Sequence, residues 1–288
     1  MNSISRLLEA YKDNQKAMDA IRLIHHTRSS VFLTGKAGTG KSTLLQLLTS
    51  NIHKKHIILA PTERTALQVG GAHIHSFFGF KKRTYLPEET EIQQISKSKR
   101  KILYEVDLII IDEISLLRCD LMNAIDLSLR ANLDNDLPFG GKQLLMIGDL
   151  YQLPPVLDPQ DKESVNLLRT NYSSRYFFSA KAFEKDFKYQ IIELSKVYRQ
   201  KDKEFLSLLN AIRVNKVDNN HLNMLNERHG VKGGLPLNFK ITLVSTGAKN
   251  KKINETNLEV LDSNLVTFHG EQTGNFASIA SAYPTDPS

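Results

Sequence analysis

The stretch GKAGTGKST (35–43) constrains this 288-residue chain more than any other. It fits G-x-x-x-x-G-K-[ST] at Gly35, Gly40, Lys41 and Ser42. It follows the apolar run VFLT (31–34) and opens a helical stretch, the strand–loop–helix context that this spacing requires. Phosphate oxygens come close to a backbone only where side chains are absent, which accounts for Gly35, Gly38 and Gly40. Amide groups and the positive end of the helix then hold the anion. Lys41 would reach the β- and γ-phosphates, and the Ser42 hydroxyl would take a place on Mg2+. The expected cradle is Gly35, Ala37, Gly38, Thr39, Gly40, Lys41, Ser42 and Thr43.

Around this loop, short apolar runs alternate with longer amphipathic ones. VFLT (31–34), HIILA (56–60), DLIIID (107–112) and QLLMIGD (143–149) read as buried strands. Residues 1–28, 41–50 and 115–131 read as helical. Near-continuous apolar strands separated by helices indicate an α/β fold with a parallel sheet covered on both faces. After Pro154-Pro155 the pattern loosens. Residues 158–175 read as a polar connector, and QIIEL (190–194) and ITLVST (241–246) as strands of a second lobe, with a helix around 202–215 between them. The expected division is 1–188 and 189–288.

With 41% hydrophobic residues a core can form, and one cysteine, Cys119, excludes a disulfide framework and favours a reducing, cytoplasmic compartment. No run approaches a membrane span, and the polar start does not read as a secretory signal. No His, Cys and acid cluster has zinc spacing. The net charge is +7, and Lys81, Lys82, Arg83, Lys97, Lys99, Arg100 and Lys101 face only Glu88, Glu89 and Glu91. That stretch is either a solvated face or a phosphate-contacting surface for nucleic acid.

LIIIDE places Asp112 and Glu113 at the end of a buried strand. Asp112 suits the water shell of Mg2+. Glu113 would point across the pleat and orient an attacking water; a helix cap is the plainer role for an acid there. In IGDLYQLPPV (147–156), Gln152 could hydrogen-bond the γ-phosphate or the attacking water, and Pro154-Pro155 stiffens the loop exit.

GKAGTGKST, APTERTALQVGGAHIHSFFGF (60–80), LIIIDEIS (108–115), PFGGKQLLMIGDLYQLPPV (138–156) and ELSKVYRQ (193–200) occur in that order. Together they resemble the PIF-one family of DNA helicases, especially its bacterial members, with the RecD-like helicases next nearest. The resemblance implies two RecA-like lobes that clamp ATP, translocation on single-stranded DNA in the 5′ to 3′ direction, action at forked duplexes, and roles in DNA repair, recombination and telomere maintenance. It implies a monomer working at the nucleoid. It matches Gln15 to an adenine-reading glutamine and Arg199 to an arginine that the second lobe supplies to the γ-phosphate. It also matches Pro61, Thr62, His75, Ser76 and Phe77 to the DNA path, where Phe77 and Phe78 would offer a stacking face.

Two departures stand out. Glu63 and Arg64 follow Pro61-Thr62 where the family has a small residue. The tail TFHGEQTGNFASIASAYPTDPS (267–288) resembles the approach to an inserted β-rich domain and stops within it, as in a fragment of a longer protein. The expected function is an ATP-dependent DNA helicase whose ATP-binding part lies here, with weak hydrolysis and unwinding by this chain alone. A nucleotide-dependent DNA-binding or loading ATPase that never unwinds is the alternative. A phosphate-loop kinase or GTPase leaves Arg199 and the Gly-Asp-x-x-Gln run without a role.

Overall fold

A computed structural model describes residues 3–88, 92, 94–184, 187–230, 241–263 and 266. The expectation for 267–288 therefore falls outside the described residues. The chain divides into two compact units, Met1–Asn223 and Met224–Ser288.

In the first unit, the helical start is two helices, α1 (Ser3–Ala10) and α2 (Gln15–His26), separated where Asn14 caps α2 by accepting from the Ala17 amide. Then come β1 (Ser30–Gly35), α3 (Lys41–Asn51), β2 (His56–Ala60), α4 (Glu63–Gln68), β3 (Ala72–His73), α5 (Ile74–Phe78), α6 (Lys97–Glu105), β4 (Leu108–Ile111), α7 (Cys119–Leu133) and β5 (Gln143–Gly148). The unit continues through α8 (Lys162–Asn171), α9 (Lys181–Glu184), β6 (Tyr189–Leu194), α10 (Lys203–Arg213) and the start of α11 (Asn219–Asn226). The six strands form one parallel sheet in the order β3-β2-β4-β5-β1-β6.

Strand periodicity splits the core in two. Phe32, Ile109, Ile111, Leu144 and Met146 pack on the side of α5, α6 and α7. Val31, Leu33, Leu108, Ile110, Leu145 and Ile147 pack on the side of α1, α2 and α3. Alternate side chains of one strand point to opposite faces, so a strand such as LIII must be apolar throughout.

Three elements differ from the sequence reading. QIIEL is not in a second lobe: β6 pairs with β1 from Ser30↔Tyr189 to Gly35↔Leu194. It is an edge strand, with Ile192 and Leu194 buried while Ile191 stays 63% exposed, a half-covered alternation that also suits an independent sheet. The polar connector contains α8, capped by Asp161, which accepts from the Ser164 amide. ITLVST forms no strand. Ile241 and Leu243 are 90% and 92% accessible in irregular chain, and no strand among the described residues of the second unit offers them a ladder. That unit contains α12 (Gly247–Glu259), capped by Thr246.

Candidate active site

Thr34 of β1 lies opposite Gly148 of β5, and Ile111 of β4 opposite Met146 of β5. The phosphate loop, the Asp112-Glu113 turn and the Gly-Asp-x-x-Gln loop therefore leave the sheet side by side at its carboxyl edge, where ligands bind in such sheets. Gly38 and Gly40 have φ +78° and +86°, which side chains disfavour. Gly40 also caps α3 without any side-chain hydrogen bond, so the first-turn amides of α3 remain open to an anion.

Lys41 donates to the carbonyls of Gly35 (2.7 Å) and Lys36 (3.3 Å), curling back over the loop. Burial holds its ammonium below the ordinary lysine range, against the pull of Asp149, Glu113 and Asp112. Asp112 is buried and accepts from the Glu113 amide at 2.9 Å; burial raises its carboxyl above the usual range. Glu113 is raised too, first by burial and then by Asp112. It does not continue the pleat: its φ of 51° and ψ of 41° are left-handed, a strained setting for a non-glycine residue that swings the carboxylate out of the strand. The turn after it packs on Gly148, where a Cβ would lie 2.9 Å from Ile114 Cγ2 and 3.0 Å from the Ser115 nitrogen.

A cavity of about 430 Å³ is lined by Ala37, Gly38, Gly40, Lys41, Ser42, Thr43, Glu113, Gln152, Tyr198 and Arg199. It gathers residues spread over more than half of the sequence. A second cavity, of about 480 Å³, adjoins it: Ser42, Thr43 and Glu113 line both, and Asp112 opens only into the second. Among the described residues, no group of three or more His, Cys, Asp and Glu is placed to hold a metal. The hydroxyl of Ser42 and the carboxylate of Asp112 are hard oxygen donors facing one space, a set that suits Mg2+ with phosphate and water completing its shell.

Not every expected residue lines the nucleotide-sized cavity. Thr39 is buried and donates to the Lys36 carbonyl at 2.8 Å, and a Cβ on Gly35 would meet the Leu194 carbonyl at 2.7 Å; both shape the loop from behind. Gln15 is exposed and donates to Asp19 at 2.7 Å. Arg199 lines the cavity, but from the same unit as the phosphate loop: it follows β6, and the Tyr198 amide donates to the Gly38 carbonyl at 2.8 Å. The lobe assignment for this arginine changes because β6 belongs to the first sheet.

Pro61, Thr62 and His75 line a separate cavity of about 440 Å³ together with Lys82, Arg83 and Arg118. The Thr62 hydroxyl also caps α4 by accepting from the Thr65 amide. The His75 imidazole is pushed down to about 4, chiefly by burial and then by the charges of His73, Arg118 and Lys82. Ser76 is exposed, with its carbonyl taken by the Lys99 ammonium. Phe77 and Phe78 are buried, edge to face at 5.0 Å, in the core under α5. The stacking face expected of them is absent because both rings are needed to fill the layer between α5 and the sheet.

Sequence reasoning missed Tyr198, which lines the cavity and accepts from Asn14 Nδ2 at 3.1 Å. It also missed Arg213, which donates to Asp149 at 2.7 Å. Tyr198 stands inside the ELSKVYRQ run beside Arg199, though its partner Asn14 lies far away in the chain, and nothing near Arg213 in sequence marks its pairing with Asp149.

The profile of the PIF1-like helicases matches residues 10–223. The chain belongs to that family. It is 27% identical over 263 residues to the ATP-dependent DNA helicase PIF1 of Emericella nidulans, covering 87% of this chain and 33% of the relative. It is 34% identical over 203 residues to the ATP-dependent DNA helicase RRM3 of Saccharomyces cerevisiae, covering 67% and 26%. A crystal structure of Pif1 helicase from Bacteroides in complex with ADP-AlF3 and single-stranded DNA superposes with a TM-score of 0.78 at 33% identity, over 94% of this chain and 62% of that one. The chain thus spans about a third or less of these curated relatives and about three fifths of that solved structure. No helix among the described residues is long and apolar enough to cross a membrane.

Proposed function

We propose that this chain carries the nucleotide site of an ATP-dependent DNA helicase that moves 5′ to 3′ along single-stranded DNA and acts at forked duplexes. One observation carries the reading: the single cavity that brings the open loop amides, Lys41, Ser42, Glu113, Gln152 and Arg199 together at the sheet edge. In this reading the loop amides and Lys41 bind the triphosphate. Glu113 takes a proton from the attacking water, and its raised pKa brings it nearer to working pH. Gln152 orients that water without adding charge, and Arg199 neutralises charge growing on the γ-phosphate. Ser42 and Asp112 would hold Mg2+, whose charge would polarise the phosphoryl oxygens.

Single-stranded DNA is assigned to the cavity of Pro61, Thr62 and His75, whose basic rim of Lys82 and Arg83 suits phosphates. Family membership and the Bacteroides complex with single-stranded DNA support single-stranded DNA as the class of ligand. Gln15 serves as the adenine reader only if its side chain leaves Asp19. The chain beyond Asn223 opens the second lobe, a single copy is the working unit, and the setting is the cytoplasm at the nucleoid.

Phosphate release from ATP, measured with and without single-stranded DNA, tests the reading. The expected result is Mg2+-dependent release that rises with DNA. Absence of any nucleotide binding by the folded chain would overturn it.

A further inference from the structure

Arg213 closes α10, and its guanidinium lies 2.7 Å from Asp149 Oδ1. The pair is largely buried, with 15% of the arginine side chain and 2% of the aspartate accessible. Asp149 directly follows β5 and anchors the loop that carries Gln152. Its Oδ1 also accepts from the Tyr151 amide at 3.1 Å, and its Oδ2 faces Gln152 Nε2 at 3.5 Å. The Tyr151 ring covers the guanidinium at 4.1 Å.

As a clamp this arginine is poorly used. The bond to Asp149 is its one hydrogen bond among the described residues, and its buried Nε has no partner. As a counter-charge it is well placed. A buried carboxylate beside a triphosphate site repels the ligand and competes for its cations unless something balances it.

We propose that Arg213 is a positioning residue of the nucleotide site: by cancelling the charge of Asp149 it lowers the repulsion of phosphate at the site and loosens the carboxylate's hold on the Gln152 amide. The proposal rests on the ATP-site reading above and deepens it. Arg213 does not line the nucleotide cavity, so it acts through Asp149 and not by touching the ligand.

The test is titration of the 288-residue chain with a fluorescent ATP analogue and Mg2+, with thermal midpoints recorded for every variant. Arg213→Ala is expected to weaken binding by about tenfold to a hundredfold, the scale of one unbalanced charge in a half-buried site. Asp149→Asn is expected to bind no more weakly than the parent. The double variant R213Q/D149N replaces the ion pair by a neutral one. It should return affinity to within about threefold of the parent, as coupled neighbours do in a double-mutant cycle. If Arg213→Ala proves too unstable to titrate, the double variant and Asp149→Asn carry the test alone.

Parent-like affinity in Arg213→Ala overturns the proposal. So does a double variant as weak as Arg213→Ala, which would make the arginine a direct ligand or a packing element. Loss of affinity in Asp149→Asn overturns it as well. Lys41→Ala separates the two levels. If it loses the analogue while Arg213→Ala does not, the ATP site stands and only the proposal fails; if it keeps full affinity, the site reading itself fails.

Discussion

At the scale of single residues, Glu113 combines a role with a strain. Its left-handed backbone lifts the carboxylate from the strand end into both cavities. Glu113→Gln preserves size and geometry while removing the base. It is expected to keep nucleotide affinity and to lose about 100-fold to 10,000-fold in hydrolysis, the usual worth of a general base. Parent-like turnover in a phosphate-release assay would remove Glu113 from the chemistry. His75 yields a pH prediction of definite sign. Unfolded, the ring takes up a proton near the ordinary 6.5; folded, it does so only near 4. Between those values the unfolded chain binds more protons, so this residue makes stability fall as pH falls from 6.5 towards 4. Thermal midpoints of His75→Gln should therefore decline less steeply across that window than those of the parent; identical slopes would contradict the assignment. The phosphate loop, the acid pair and Gln152 were legible in sequence because each is a contiguous pattern whose chemistry needs that spacing. Arg213 was not, since its partner lies 64 positions away and nothing near it in sequence marks a buried arginine.

At the scale of elements, α10 depends on its first turn. Asp202 accepts from the amides of Glu204 (3.0 Å) and Phe205 (3.1 Å). Asp202→Ala is expected to cost about 1 kcal/mol of stability through the lost cap, read as a lower midpoint in denaturant unfolding. An unchanged midpoint would mean that α10 is held by its packing alone. β1, β2, β4 and β5 were readable from their unbroken apolar runs, whereas the two-residue β3 carries too short a run to show. β6 was visible as a strand but not as a member of this sheet, because an edge strand with alternating burial looks the same wherever it pairs. ITLVST has high strand propensity and forms no strand, since propensity acts only where a neighbouring edge supplies hydrogen bonds. α8 was hidden by polarity: a helix that buries little beyond Ser164 and Leu168 leaves a weak apolar period.

At the scale of the whole molecule, binding and folding are linked. The cavity is assembled from the segments that follow β1, β4, β5 and β6, so a nucleotide that fits it binds the folded state and not the unfolded one. At a free nucleotide concentration 100 times its dissociation constant the added stability is about 2.7 kcal/mol. Differential scanning fluorimetry with Mg2+ and ATP should show a rising melting temperature for the parent and none for Lys41→Ala. An equal rise in both would place the ligand elsewhere. The fold class was legible at this scale from the alternation of apolar runs and helices. The extent of the first unit was not, because its last strand arrives after a long excursion through α8 and α9.

Gly35 and Leu194 occupy the same rung of adjacent strands, and the next few residues of each cross again at Gly38 and Tyr198. The fuel loop and the outgoing chain are thus stitched together twice within five residues. These two ties couple the position of one segment to that of the other, as between the two sides of a zip fastener.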